Sequence, residues 1–424
     1  MTDSTITKKP ELTLIRGGRS DASDFALLPF TDKLAILRQA PAKKRLAHII
    51  DDPDGEQLAQ ALPPQELYRT FKEIGAVDAL ELISMASPEQ RIFFLDMDLW
   101  MKDSFSQENA LEWLGYLLET EEEKFVELFR NLDFELLILI FFREITVGGG
   151  VGELLPDNER TEDWDHSFDN QYFITFRNPK NSRLIGTCLD ILFRRERQLY
   201  QNLLEGVKNE VESELEDEAL AFRTGRLADL GFPSREEAIS IYFRIDPAAF
   251  VPEAEKKQLK PGGVESTPVL TGDDSLLARL LRKLDSEELY LELNYLINNA
   301  LFADDTAFDD PGAIQAIMTR VSGYLTIALE FVSGDDEEKA AGLLERESLK
   351  RLFQLGNSIL MEVKKLAGAC TASDYATGKA LNGLKLARPL FYRGLDPDAV
   401  DGYREFRGYA DVLRMKQFLE QISR

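Results

Sequence analysis

Apolar residues recur at helical spacing along most of this chain. From Pro29 to Val147 they fall into short runs, each opened by a helix start signal. Pro63 and Pro64 precede Glu66, Leu67, Phe71 and Ile74. Ser87 and Pro88 stand before Glu89 and Gln90, which is an N-cap followed by proline at the first helical position. Ser106 opens a run in which Ala110, Leu111, Leu114, Leu117 and Leu118 share a face. Thr120 opens another with Phe125, Leu128, Phe129 and Leu132 inward, and Asp133 opens the last. The pattern predicts helices beginning near residues 64, 88, 106, 120 and 133. Short helices with one wide apolar stripe each stack as an irregular superhelix better than as a long bundle.

Gly148 to Gly152 ends this block, and the polar stretch Asp157 to Asn170 reads as a loop or boundary. Gln171 to Phe176 alternates as a short extended element does, and helices resume near Ser182. Ser234, after Gly231-Phe232-Pro233, caps a further helix that ends near Asp246-Pro247. The expected fold is all-α: a mobile tail over 1–25, a superhelix over 26–147 and a middle helical region over 148–252 with one small extended element at 171–176. A linker rich in Pro, Gly, Lys and Glu follows over 253–274, then a C-terminal helical domain over 275–424.

Composition refines the picture. A chain of 424 residues with 44% apolar content can fill two or three cores. Its most apolar run, Leu136 to Phe142, is flanked by Glu135, Arg143 and Glu144 and is too short to span a membrane, so it reads as a buried helix. The polar segment Met1 to Lys9 has no apolar stretch of the kind a secretory signal needs. Two cysteines, Cys188 and Cys370, fit a reducing cytoplasm and argue against a disulfide framework. The net charge of -25 works against nucleic acid and anionic membranes as partners. Against that background, the segment from Lys379 onward carries nine Lys/Arg and six Asp/Glu, a local excess of +3.

Candidate chemistry is sparse. The glycine run 148–152 lacks the Lys-Ser/Thr of a phosphate loop and reads as a flexible connection. His48 sits between Leu46 and Ile49 at helical spacing and reads as structural. His166 lies beside Asp163 and Asp165, where a carboxylate–imidazole pair could bind a metal or move protons. Hard cations take oxygen ligands from loops, which makes Asp304, Asp305, Asp309 and Asp310 the best metal candidates, although their spacing is not that of an EF-hand. Asp51, Asp52 and Asp54, and likewise Asp335 to Glu338, read as helix-start charges. Arginines interleave with aromatics at Arg388, Arg393, Arg404 and Arg407, the arrangement that contacts an anion or an acidic partner, or that packs with snorkelling stems. Serine-hydrolase, zinc-protease and kinase signatures are absent, and no cofactor is expected.

Several stretches carry a resemblance: Leu62-Pro63-Pro64-Gln65-Glu66-Leu67-Tyr68, Lys72-Glu73-Ile74-Gly75, Ala86-Ser87-Pro88-Glu89-Gln90, Leu95-Asp96-Met97-Asp98, Ala110-Leu111-Glu112-Trp113-Leu114, Asn131-Leu132-Asp133-Phe134-Glu135-Leu136 and Gly225-Arg226-Leu227-Ala228-Asp229-Leu230-Gly231-Phe232-Pro233. Together they resemble a bacterial family of unknown function (domain of unknown function 6178) over most of the chain, which implies no activity, cofactor or catalytic residue. Residues 62–144 are also similar in rhythm to the intracellular helical N domain of MgtE-type magnesium transporters. The expected function is a cytoplasmic, non-enzymatic helical scaffold with a protein partner. A regulatory binder of a divalent cation or anionic small molecule is the alternative, and a carboxylate-based enzyme stands third.

Overall fold

The computed structural model describes residues 25–150, 164–253, 256, 275–306, 310–334 and 336–422. The expected tail apart from Phe25, which is buried, and most of the expected linker lie outside them. Packing divides the chain into two units, Met1–Arg91 and Ile92–Arg424. The division falls inside the stretch 26–147 that the sequence pattern groups as one superhelix. Helices account for 69% of the structure and the strands form only short antiparallel pairs, so the fold is all-α.

The first unit contains α1 (Phe30–Gln39), α2 (Ala42–Asp51), α3 (Gly55–Gln60), α4 (Pro64–Ile74), α5 (Leu80–Met85) and the opening of α6 (Pro88–Asp98). Pro29, Pro41 and Pro63 hold the residue before α1, α2 and α4 extended, so each helix starts where its proline puts it. At the start of α6 the Gln90 backbone N–H donates to Ser87 Oγ at 3.2 Å, and the Ser87 N–H donates to Gln90 Oε1 at 2.9 Å. This reciprocal cap satisfies two otherwise orphaned donors. Asp51 ends α2, Asp54 precedes α3, and the buried carboxylate of Asp52 takes the ammonium of buried Lys33 at 2.8 Å. Of the three only Asp54 stands at a helix start; Asp51 lies at the opposite end of its helix, and Asp52 is a buried ion-pair partner.

The second unit begins with the β1 (Trp100–Met101) and β2 (Ser104–Phe105) pair, then α7 (Gln107–Leu118), α8 (Glu122–Asn131) and α9 (Phe134–Phe142). Ser106 caps α7 through the Asn109 N–H, as expected. Thr120 does not cap α8: Glu121 stands there, and the Thr120 hydroxyl donates to Leu117 O at 2.6 Å, closing the preceding helix instead. Every residue from Leu136 to Phe141 is buried, as a helix without a polar face must be.

The glycine run is not a flexible connection in its described part. Ile145–Gly149 forms β3, paired antiparallel with β4 (Tyr172–Phe176) from Ile145↔Phe176 to Gly149↔Tyr172. A Cβ on Gly148 would sit 2.2 Å from the Trp164 ring, and Gly149 takes a positive φ of 74° beside Gln171 O. Close ring and backbone approach therefore calls for glycine there.

Next come α10 (Ser182–Arg195), α11 (Arg197–Asn209), α12 (Glu212–Asp229) and α13 (Arg235–Ser240). The C-terminal bundle comprises α14 (Leu276–Leu284), α15 (Glu287–Ala303), α16 (Pro311–Ser333), α17 (Glu337–Arg346), α18 (Leu349–Gly368), α19 (Tyr375–Lys385), the β5 (Phe391–Tyr392) and β6 (Tyr403–Arg404) hairpin, and α20 (Tyr409–Ile422). Its core includes Leu325, Leu329, Phe353, Leu360, Phe391 and Phe406. The edge of the expected linker is tied to this bundle: the Glu253 N–H donates to buried Glu347 at 3.0 Å, and Lys256 pairs with Glu292. No helix among the described residues is long and apolar enough to cross a membrane.

Candidate functional site

Two of the sequence candidates turn out to be each other's partners. Asp304, just after α15, receives the guanidinium of Arg388 at 2.8 Å, that of Arg320 on α16, and the Tyr242 hydroxyl at 3.2 Å. Arg320 also meets Glu405 at 2.9 Å, and the Arg388 guanidinium lies 3.3 Å from the Tyr242 ring centre. Two carboxylates and two guanidiniums thus form a neutral network that joins α15, α16 and the β5–β6 hairpin. Burial pushes the Tyr242 phenol up to about 12. One oxygen of Glu405 and the hydroxyl of fully buried Tyr324 have no hydrogen-bond partner.

Two of the remaining metal candidates are also engaged. Asp305 pairs with Arg235 at 2.8 Å and with Lys102 at 3.5 Å, while Asp310 caps α16 through the Ala313 N–H at 2.9 Å. Asp309 lies outside the described residues. Among the described residues, no group of three or more His, Cys, Asp or Glu is placed to hold a metal ion. His48 stacks on Phe25, and His166 meets Phe168 edge-on while its backbone bridges to Ile174. Neither cysteine forms a disulfide and both are buried, and burial pushes the Cys188 thiol up to about 12, which disfavours the nucleophilic thiolate.

The four C-terminal arginines divide two and two. Arg388 and Arg404 point inward. Arg404 is held by Asp396 at 2.7 Å and Asp411 at 2.6 Å, with its guanidinium 4.0 Å from the Phe391 ring centre. Arg393 and Arg407 stay outside: Arg393 makes one contact to exposed Asp398 at 3.3 Å, and Arg407 is exposed. Around the same hairpin lies a surface that sequence reasoning missed. Tyr375 is 67% exposed at the start of α19, and Tyr403 is 37% exposed on β6. Lys379 sits 5.3 Å from the Tyr375 ring centre and 3.8 Å from Asp401, and the Tyr403 hydroxyl donates to Lys379 O at 3.0 Å. Tyr375 and Tyr403, 28 positions apart, have no shared sequence signal; only the hairpin brings them to one lysine.

A second network was equally hidden. Arg226 on α12 grips Asp96 on α6 at 2.7 Å and Asp133, before α9, at 2.6 Å. Arg223 donates to Asp96 O at 2.6 Å, with its guanidinium 5.7 Å from the Trp100 ring. Three stretches that carry the family resemblance therefore meet at one brace.

The buried and the paired carboxylates carry opposite pH signatures. Burial raises Glu405 above its ordinary value of 4.5. The folded protein then holds that proton more tightly than the unfolded chain, so its contribution is full below 4.5 and is lost as pH climbs through the folded value. Hydrogen bonds from Arg404 hold Asp396 below 3.8, so its contribution is present above 3.8 and lost as pH falls through the folded value. Melting temperature followed against pH tests both signs. Glu405→Gln should flatten the decline above 4.5, and Asp396→Asn should flatten the acid limb.

Comparison with known proteins gives one match. A family model described as a family of unknown function, DUF6178, matches residues 22–424. No curated protein and no solved structure matches the chain, so the likeness in rhythm to the magnesium-transporter domain has no support there.

Proposed function

The chain belongs to the family of unknown function DUF6178, and we propose that it acts as a cytoplasmic, non-enzymatic helical interaction module whose C-terminal surface grips an acidic protein partner. The observation that carries this reading is the pair of exposed tyrosines, Tyr375 and Tyr403, gathered around Lys379. Tyrosine offers large, stiff contact area with a polar tip, and it is enriched with arginine at the centres of protein interfaces. Lys385 and Arg407, exposed on this C-terminal segment of a chain of -25, favour an acidic partner over a basic one. Two buried cysteines without a disulfide suit a reducing compartment.

The test is a mild-crosslinking capture from the host with the tagged full chain. Tyr375→Ala with Tyr403→Ala should weaken recovery of the bound protein by roughly 30-fold, the equivalent of about 2 kcal/mol. Unchanged melting of the variant establishes that the fold is intact, and undiminished recovery would refute the reading.

A second reading, a regulatory small-ligand binder, is favoured by the unpartnered oxygens of Glu405 and Tyr324. A ligand bound only to the folded state raises the melting temperature. Flat melting across Mg²⁺, Ca²⁺, Mn²⁺ and nucleotides would remove it.

A further inference from the structure

We propose that the polar face of α18 is a receptor for extended peptide, and that the strap crossing it, residues 243–253 with Lys256, is its tethered occupant. Both lie in the unit Ile92–Arg424, and this face shares no residue with the tyrosine surface.

Glu347 just before α18, then Arg351, Gln354 and Ser358 along it, recur at three- and four-residue spacing, with Asn357 beside them. Each of these side chains addresses the backbone of the strap or of the turn leading into it. Gln354 Nε2 donates to Ser240 O at 2.9 Å, and Asn357 Nδ2 donates to Tyr242 O at 3.2 Å. The Ile245 N–H donates to Ser358 Oγ at 3.0 Å, and the Glu253 N–H donates to Glu347 at 3.0 Å. Arg351 reaches Val251 O at 3.4 Å and the Glu253 carboxylate at 2.8 Å. Apart from a 3₁₀ turn at Pro247–Ala249, residues 243–253 form no helix or strand. One helix thus does for them what a neighbouring strand does in a sheet.

Three features make this contact exchangeable. Main-chain hydrogen bonds read conformation and leave most of the sequence free, and Phe243, Arg244, Asp246, Ala248, Ala249 and Val251 are accordingly exposed. The face beneath is polar, so water can satisfy it when the strap lifts. Asn357, only 2% exposed, keeps an Oδ1 without a hydrogen-bond partner, an acceptor for a backbone N–H that the strap does not offer.

Side chains of the strap define what can replace it. Ile245 and Phe250 pack against the bundle core, and the Arg351 guanidinium lies 5.3 Å from the Phe250 ring centre. Lys256 brings its ammonium to Glu292, which is 4% exposed and accepts the Leu349 N–H at 2.8 Å through its other oxygen. A buried carboxylate stripped of its cation is costly, so a replacement must carry one. The ligand class is therefore an extended peptide with the spacing of Ile245, Phe250 and Lys256: an apolar residue, then an aromatic, then a lysine or arginine. Tethering holds the strap at an effective concentration of about millimolar, so a free peptide at micromolar concentration meets a filled site.

Anisotropy of a fluorescein-labelled peptide of residues 243–256, titrated with the full chain, tests this. Phe250→Ala with Lys256→Ala loosens the strap, and this variant should bind the peptide at least roughly tenfold tighter than the wild-type chain does. Adding Arg351→Ala and Gln354→Ala should abolish that gain, and a peptide carrying alanine in place of Phe250 and Lys256 should not bind. Hydrogen exchange of the wild-type chain gives a second readout that depends on no variant. The Ile245 and Glu253 amides, although hydrogen-bonded, should exchange at least roughly a hundredfold faster than those of residues 355–360 in α18. Equal binding by the wild-type and loosened chains, binding that ignores the α18 substitutions, or strap amides as slow as those of α18 would overturn the inference.

Discussion

Arg226→Met should destabilise the unit Ile92–Arg424 by about 3–5 kcal/mol, read as a lower urea midpoint at unchanged slope. Removing one partner of a buried ion pair leaves the other charge uncompensated, and here a single guanidinium serves two carboxylates. Asp96 is only 2% exposed and receives Arg226 through both oxygens, at 2.7 and 2.8 Å. Burial already raises the Asp96 carboxyl above its ordinary value of 3.8. Without Arg226 it must either lie buried as an anion or take up a proton, and both are costly near neutral pH. Substituting Asp96→Asn and Asp133→Asn in the Arg226→Met background should recover part of the loss, because the orphaned charges are gone. By contrast, Arg195→Ala on the exposed pair with Glu122 should move the midpoint little.

Gly356→Ala should cost about 3 kcal/mol or more, although glycine-to-alanine in a helix ordinarily gains roughly 0.5–1 kcal/mol. The sign reverses because α16 and α18 touch backbone to backbone. A Cβ at Gly356 would lie 2.1 Å from Tyr324 O, and one at Gly323 would lie 1.9 Å from Phe406 O. A carbonyl cannot swing aside as a side-chain end can, so the helices would have to separate and reopen the core around Phe353 and Phe406. Gly225→Ala, in open space on α12, supplies the control and should raise the urea midpoint. Opposite shifts for Gly356 and Gly225 establish the argument; equal shifts would refute it.

Local signals in the sequence are legible where local physics decides the outcome. Helices begin at Pro64 and Pro88 and after Ser106 because proline geometry and capping act over a few residues; one also begins after Asp133, whose side chain makes no cap hydrogen bond and goes to Arg226 instead. The strand at 172–176 was visible in its alternation, but its mate at 145–149 was masked by glycines whose reason, the Trp164 ring, arrives from later in the chain. Long-range electrostatics left no trace. Asp304 and Arg388, 84 positions apart, read separately as a metal ligand and an anion contact, whereas in the fold each answers the other. Asp133 reads as the opening of a helix and nothing local singles out Asp96, yet Arg226 arrives at both, from 93 and 130 positions further on. Nor did composition reveal which arginines remain outside: in the fold Arg404 finds Asp396, Asp411 and the Phe391 ring, whereas the Arg407 side chain is exposed.

The central claim, that the C-terminal tyrosine surface is where this protein meets an acidic protein partner, is tested most directly by crosslinking the chain in its host and mapping the linked residues by mass spectrometry. The account predicts links from Lys379 and Lys385 to carboxylate-rich segments of one recurring protein, lost in the Tyr375→Ala, Tyr403→Ala variant. Links that avoid Lys379 and Lys385, or that survive loss of both tyrosines, would contradict it.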